Sequence, residues 1–232
     1  MKAMNLLKNI VKKTPIYPFL YRFKEKREIN DWYKAGKPIP SPHIIKQEIV
    51  MQYARKFSID ILVETGTYLG RMINAVKGFF SEIYSIELDN SLFIKAKKRF
   101  INIKNIHIIQ GNSSKALPEL LALIDYPCLF WLDAHYSGGI TAKGNLYTPI
   151  IAELKSIFSH KIKGHVILID DARCFIGSED IGSEDYPTIR TLKEFVMKNR
   201  PDYLFEVKND IIRIHQYTPD NISKDKSKKI NK

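Results

Sequence analysis

Cysteine is scarce in this chain: its 232 residues hold two, Cys128 and Cys174. Neither sits in a C-x-x-C pair, so the pattern supports neither a disulfide framework nor a structural zinc site. Long apolar runs are missing too, and no stretch approaches the ~18 apolar residues of a membrane-crossing helix. A secretory leader is a poor match at residues 1–13, where Lys8 breaks the apolar run and no small-residue cleavage site follows. Low hydrophobicity joined to high charge is also absent: 44% of residues are hydrophobic and 27% charged, which excludes a disordered bulk. The expectation is one globular domain with appendages, in a reducing, cytoplasmic setting.

What the chain has in excess is positive charge, with a formal net of +12. Its location decides its meaning. Residues 1–46 hold 11 Lys/Arg against 3 Asp/Glu, and residues 221–232 hold 5 against 1. Between them, 47–220 balance at 21 of each sign. A nucleic-acid enzyme usually carries a basic face on its folded body. The neutral middle weighs against nucleic acid as a partner.

The ends read separately from the middle. In 1–13, Ala3, Leu6, Leu7 and Ile10 recur at helical spacing among Lys2, Lys8, Lys12 and Lys13. Two readings stay open for this basic amphipathic helix: peripheral contact with an anionic membrane surface, or packing on its own domain or on a second subunit as a homodimer. Residues 15–42 carry five prolines and the aromatics Tyr17, Phe19, Tyr21, Phe23, Trp32 and Tyr33. They read as an extended arm or a cap near the substrate. The polar, lysine-rich end of the chain reads as a disordered tail. The divisions are therefore 1–42, 43–217 and 218–232.

From Ser41 the pattern is regular. A helix to about Phe57 leads into IDILVET (59–65), a helix over 69–80, EIYSIEL (82–88), a helix over 90–100, NIHIIQ (105–110), a helix over 113–124, CLFWLD (128–133), a helix over 148–159, HVILID (165–170) and a helix over 188–199. YLFEVK and IIRIHQY flank Asn209-Asp210 as an antiparallel hairpin. Five strand–helix alternations predict an α/β fold, a Rossmann-like doubly wound sheet, mostly parallel with a C-terminal antiparallel hairpin. In such sheets ligands sit outside the carboxyl ends of the strands.

Those ends are polar: Glu64, Glu87, Asn112, then Asp133 with His135, then Asp170 with Asp171. The first turn reads E-T-G-T-Y-L-G, from Glu64 through Thr65, Gly66, Thr67 and Tyr68 to Gly70. This is G-x-x-x-G spacing and not the dinucleotide fingerprint G-x-G-x-x-G. An acid before the first glycine repels a pyrophosphate and suits an amino group. Glu87, 21 residues past Gly66, is placed to accept ribose hydroxyls. An amino group plus ribose without phosphate describes S-adenosylmethionine better than NAD. The alternative at this turn is a glycine-punctuated loop with incidental acids.

VETGTYLG, SIELD, GNSSKALPEL, FWLDAHYSGG and ILIDDAR together resemble the class I S-adenosylmethionine-dependent methyltransferases over about 60–215. The resemblance implies that residues Glu64, Thr65, Gly66, Thr67, Tyr68 and Gly70, with Asp133, line the methionine part of the cofactor. It places Glu87 on the ribose and Asn112 and Ser113 near adenine. The second half resembles small-molecule and sugar O-methyltransferases that use a divalent metal, Mg²⁺ or another. By that resemblance Asp133, Asp170 and Asp171 are metal ligands and His135 is the general base; the alternatives are that Asp170 caps the following turn, Asp171 pairs with Arg173 and His135 is structural. Arg173 is a candidate for binding a phosphate or carboxylate on the substrate. The DAH spacing is tighter than the D-x-x-H of macrolide-sugar members. The implied activity is O-methylation of a sugar or glycan precursor hydroxyl. Alternatives are a nucleic-acid methyltransferase, although DAHYSGG replaces the N/D-P-P-Y/F/W motif of N-methylating members, and a non-methylating hydroxylase-like enzyme or binding module. Loop 136–149 and the IGSED-IGSED repeat at 176–185 are candidate substrate-side loops.

Overall fold

A computed structural model describes residues 17–134, 148–177 and 186–217. Residues 1–16, His135 with the loop that follows to 147, the greater part of the IGSED repeat, and 218–232 lie outside the described residues. The chain divides into two compact units, 1–48 and 49–232.

In the first unit, the segment read as an extended arm is instead a helix. Helix α1 runs Tyr17–Lys34 over 18 residues. The prolines misled: Pro18 falls in the first turn, where a missing N–H costs nothing. No further proline or glycine occurs until Gly36, and Arg27 and Asp31 form an i,i+4 pair at 3.6 Å. Trp32 Nε1 donates to the Pro38 carbonyl at 2.8 Å, folding the helix exit back on itself. Within the aromatic set, Phe23 and Tyr33 are exposed. Helix α2 spans His43–Phe57.

The second unit holds β1 (Ile61–Thr65), α3 (Arg71–Val76), β2 (Glu82–Glu87), α4 (Asn90–Phe100), β3 (Ile106–Gln110), α5 (Ser113–Leu121), β4 (Leu129–Leu132), α6 (Ile150–Ser159), β5 (Val166–Ile169), α7 (Ile189–Asn199), β6 (Tyr203–Lys208) and β7 (Ile211–Gln216). The strands form one sheet in the order β3-β2-β1-β4-β5-β7-β6. The first five run parallel; β7 enters antiparallel to both β5 and β6. This is the architecture expected from the alternation. The chain order reverses between β1 and β4, the switch point where such sheets place their ligands.

Local chemistry explains the element ends. Asp89 accepts from Leu92 N at 2.8 Å, Asn112 from Ser114 N at 2.9 Å, and Thr188 from Thr191 N at 3.1 Å, each capping a helix start. Asn209 and Asp210 both adopt positive φ, 55° and 61°, as a two-residue hairpin turn requires. Strands β4 and β5 are buried at every residue, which explains their continuous apolar runs. One sheet face packs on Leu117, Leu121, Leu154, Ile157, Leu192 and Val196 from α5, α6 and α7. On the other, Tyr53 of α2 meets Arg213 and the His215 ring. Among the described residues no helix is long and apolar enough to cross a membrane.

A buried histidine pair lies beneath the amino ends of β4 and β5. The Cys128 backbone N–H donates to His165 Nδ1 at 3.0 Å, which leaves the His165 proton on Nε2. That N–H faces His160 Nδ1 at 2.9 Å, and His160 Nε2 reaches the Ile124 carbonyl at 3.1 Å. Every ring nitrogen is committed with both rings neutral, and an added proton would set N–H against N–H. Burial, and secondarily the neighbouring His160, push the His165 pKa down to about 4. The unfolded chain therefore binds more protons than the folded one between pH 4 and pH 6.5. Stability from neutral His165 is complete above pH 6.5 and is lost as pH falls toward 4. Urea denaturation of wild type against His165→Asn at pH 7 and pH 5 checks this. The wild-type advantage should shrink by about 2 kcal/mol on acidification.

Candidate functional site

The backbone ladder continues past the strand ends and aligns them. Gly66 N donates to Ile86 O at 2.9 Å, Gly111 N to Glu87 O at 2.9 Å, Asp133 N to Thr65 O at 3.0 Å, and Asp170 N to Leu132 O at 3.0 Å. The sequence-predicted residues at the ends of β1, β2, β4 and β5 therefore share one edge. The β1 turn crosses close under the end of β4. A Cβ built on Gly66 falls 2.5 Å from the Asp133 carbonyl oxygen, and its φ is +87°. Only glycine satisfies both the approach and the dihedral. Gly70 opens α3 at φ +63°, where a Cβ would sit 2.7 Å from the Phe100 ring.

Two acids shape this turn. Glu87 accepts from Tyr68 N at 2.7 Å with one oxygen and from Asp89 N at 2.9 Å with the other. Those bonds fix the carboxylate and leave acceptor capacity on both oxygens. Glu64 accepts from Ser85 Oγ at 2.5 Å, and that hydroxyl is 2.6 Å from Thr67 Oγ1. Thr67 is thus spent inside this chain of hydrogen bonds. Burial pushes Glu64 up to about 8; the Ser85 hydrogen bond opposes this, and Asp133 and Glu87 add to it as like charges. A cation arriving here meets groups whose charge it relieves.

Two assignments change. Asn112 spends Oδ1 on Ser114, at 2.9 Å to the backbone N–H and 2.8 Å to the hydroxyl. It caps α5 and offers any neighbour only its Nδ2 donors. Arg173, the candidate for a substrate anion, is engaged within the fold. Its guanidinium pairs with Asp171 at 2.8 Å and with Asp210, and its backbone N–H donates to Asp210 Oδ1 at 2.9 Å. Two carboxylates already neutralise it, clamping the exit of β5 to the hairpin turn.

The same clamp decides the metal assignment. Asp171, at φ +53°, turns its carboxylate to Arg173, while Asp170 Oδ1 accepts from Asp171 N at 2.8 Å. Among the described residues no three His, Cys, Asp or Glu side chains converge as a ligand set. Asp133, Asp170 and Asp171 do not form such a set among the described residues. His135 lies outside the described residues.

The sequence reading missed Glu153. It is 1% exposed, sits in the first turn of α6, and shares that helix's buried face with Ile150, Leu154 and Ile157. An acid on an otherwise apolar i, i+3, i+4, i+7 stripe was the signal available in the sequence. Burial pushes its pKa up to about 7, partly opposed by the neighbouring Ser113 and Thr65 hydroxyls. Glu153 lines a cleft with Leu132, Ala134, Thr148, Asp170 and Tyr186. Tyr186, also missed, has its pKa raised, chiefly by burial.

No protein-family model matches the chain, and no curated protein matches it. Solved structures do. An O-methyltransferase from Bacillus cereus in complex with SAH superposes with TM-score 0.54 at 14% identity, over 84% of this chain and 90% of that one. TomG from Streptomyces achromogenes, an O-methyltransferase involved in tomaymycin synthesis and crystallised with SAM, gives 0.53 at 15%, over 84% and 89%. SAH-bound PaMTH1 of Podospora anserina gives 0.52 at 15%, over 94% and 96%. The chain shares the fold of these methyltransferases. The Rossmann-like reading of the sheet and the resemblance at its first turn agree with that likeness.

The Gly66 contact yields one expected outcome. Gly66→Ala places a methyl against the Asp133 carbonyl and forces an alanine to positive φ, so it should cost about 3 kcal/mol or more. A denaturant titration measures that cost. An unchanged midpoint would mean that the turn does not approach β4 as described.

Proposed function

We propose that the protein is an S-adenosylmethionine-dependent methyltransferase acting on a hydroxyl of a small acceptor, in the first instance a sugar or glycan precursor. The observation that carries the cofactor is the pairing of an oriented Glu87 carboxylate with a buried Glu64 at a turn that admits no Cβ. Acidic groups fit a ligand with an ammonium, a sulfonium and ribose hydroxyls, and would oppose a pyrophosphate. The SAH- and SAM-bound neighbours support the same reading at the level of the fold.

S-adenosylmethionine supplies an already activated methyl group, so the protein's task is positioning and proton removal. Glu87 would accept the ribose hydroxyls, Glu64 and Asp133 would favour the cationic methionine end, and Ser113 with Asn112 would flank the base. His135 remains the proposed proton acceptor. The acceptor enters beside Ala134 and Asp170, where the ends of β4 and β5 adjoin the cofactor turn. An O-methylated acceptor rather than a nucleic acid is favoured by the neutral charge of residues 47–220.

Titration calorimetry with S-adenosylmethionine, S-adenosylhomocysteine and NAD tests the cofactor. Micromolar binding of the first two is expected, weakened roughly tenfold to a hundredfold in Glu87→Ala, where charge-assisted hydrogen bonds to ribose are lost. Binding of NAD alone would overturn the reading.

A further inference from the structure

Glu153 poses a problem that cofactor binding does not solve. Its side chain is almost wholly buried, yet Oε1 makes no hydrogen bond. Thr65 Oγ1, from the strand that leads into the cofactor turn, makes no well-formed hydrogen bond either, although the Thr65 and Ser113 hydroxyls stand near the Glu153 carboxyl. A buried acceptor without a well-placed donor is destabilising and uncommon in folded proteins. The cleft beside it is walled by Leu132, Ala134 and Ile150, with the polar groups of Thr148, Asp170 and Tyr186. No Lys, Arg or His stands among the described residues lining it. Arg173, the nearest cation in sequence to Asp170, is held by Asp171 and Asp210. Among the described residues, the cleft therefore presents acceptors and a carboxyl to whatever enters, and none of them neutralises an incoming anion.

We propose that Glu153 is a specificity-determining residue of the acceptor site: its unpartnered oxygen accepts a hydrogen bond from a hydroxyl of the methyl acceptor, selecting neutral hydroxylated compounds over anionic ones. The inference rests on the methyl-transfer reading and adds the acceptor's charge class to it. Three placements support it. The cleft adjoins the ends of β4 and β5, beside the cofactor turn. The acid comes from a helix rather than a loop, so its position is set by the packing of Ile150, Leu154 and Ile157 around it. Phe175 and Ile169 supply apolar walls for a ring. An anion entering a largely apolar-walled cleft beside this carboxyl loses its hydration and, where the carboxyl is ionised, meets a like charge, whereas a hydroxyl offers the Oε1 acceptor a donor.

The test uses two matched pairs of probes on the full chain loaded with S-adenosylhomocysteine: catechol against 3,4-dihydroxybenzoate, and methyl glucoside against methyl glucuronide. Each pair differs by one carboxylate. Calorimetry or saturation-transfer NMR should show the neutral member of at least one pair binding about tenfold or more tightly than its anionic twin. In Glu153→Gln the ratio should fall to within about twofold, with a native circular-dichroism spectrum and cooperative urea unfolding as the check on folding. The wild-type ratio decides by itself if the variant does not fold. Equal binding of the twins, binding of the anionic members only, binding of neither pair, or an unchanged ratio in Glu153→Gln would each overturn the proposal. The last outcomes are those expected if the oxygen is met by a buried water only. Failure of wild type to bind S-adenosylhomocysteine would instead bring down the cofactor reading on which the proposal rests.

Discussion

The structure turns on one close approach, that of Gly66 in the β1 turn to the Asp133 carbonyl at the end of β4. Because no side chain separates them, the ladder between β1 and β4 runs on to Asp133 N and Thr65 O at the switch point. A bulkier residue would pry those strand ends apart where the sheet must open to hold a ligand. The other features of the site are arranged around that contact. Tyr68 follows at φ +47° with its N–H committed to Glu87, and Glu87 is held in turn by the start of α4 through Asp89. Removal of one glycine's freedom would propagate through three strands.

The acids of this edge behave as a group. Glu64 and Glu153 lie on β1 and α6, and burial raises both into the neutral range, to about 8 and about 7. The site is therefore less negative than its count of carboxylates suggests. Such groups hold protons when nothing positive is near and ionise against a cation. Arg173, the one base at the exit of β5, is committed to the fold and not to the ligand. Among the described residues, the strand ends and α6 contribute acids to the site, and Arg99 reaches the Leu69 carbonyl at the far end of the β1 turn.

Local pattern made much of this legible. Short β-branched runs, capping residues and Asn209-Asp210 each act within a few positions, so strands, helix starts and the hairpin follow from the chain itself. The first turn was readable because glycine spacing and acid placement carry a steric and an electrostatic requirement. What escaped depends on partners distant in sequence. Asp210 meets Arg173 from 37 residues away and claims it. Asp171 looked like a ligand by position and is turned aside by that clamp. The prolines of 15–42 suggested an extended course because proline's effect depends on where in a helix it falls, and Pro18 falls in the first turn. Glu153 was visible on its helix as an acid in an apolar stripe, but only the fold shows which cleft it enters.

The placement of β7 has a consequence for how the molecule is made. β5 is flanked by β4 on one side and by β7 on the other, yet β7 is the last strand in chain order. During synthesis β1 to β5 can assemble while the outer edge of β5 has no neighbour. That edge is uniformly apolar, VILI, and is the kind of open strand that pairs with other chains. The nascent protein carries this sticky edge until residues 203–216 have emerged, after which the hairpin both seals it and brings Asp210 to Arg173. The hairpin is thus a closure as well as a pair of strands, and the interval before it arrives is when aggregation competes most strongly with folding.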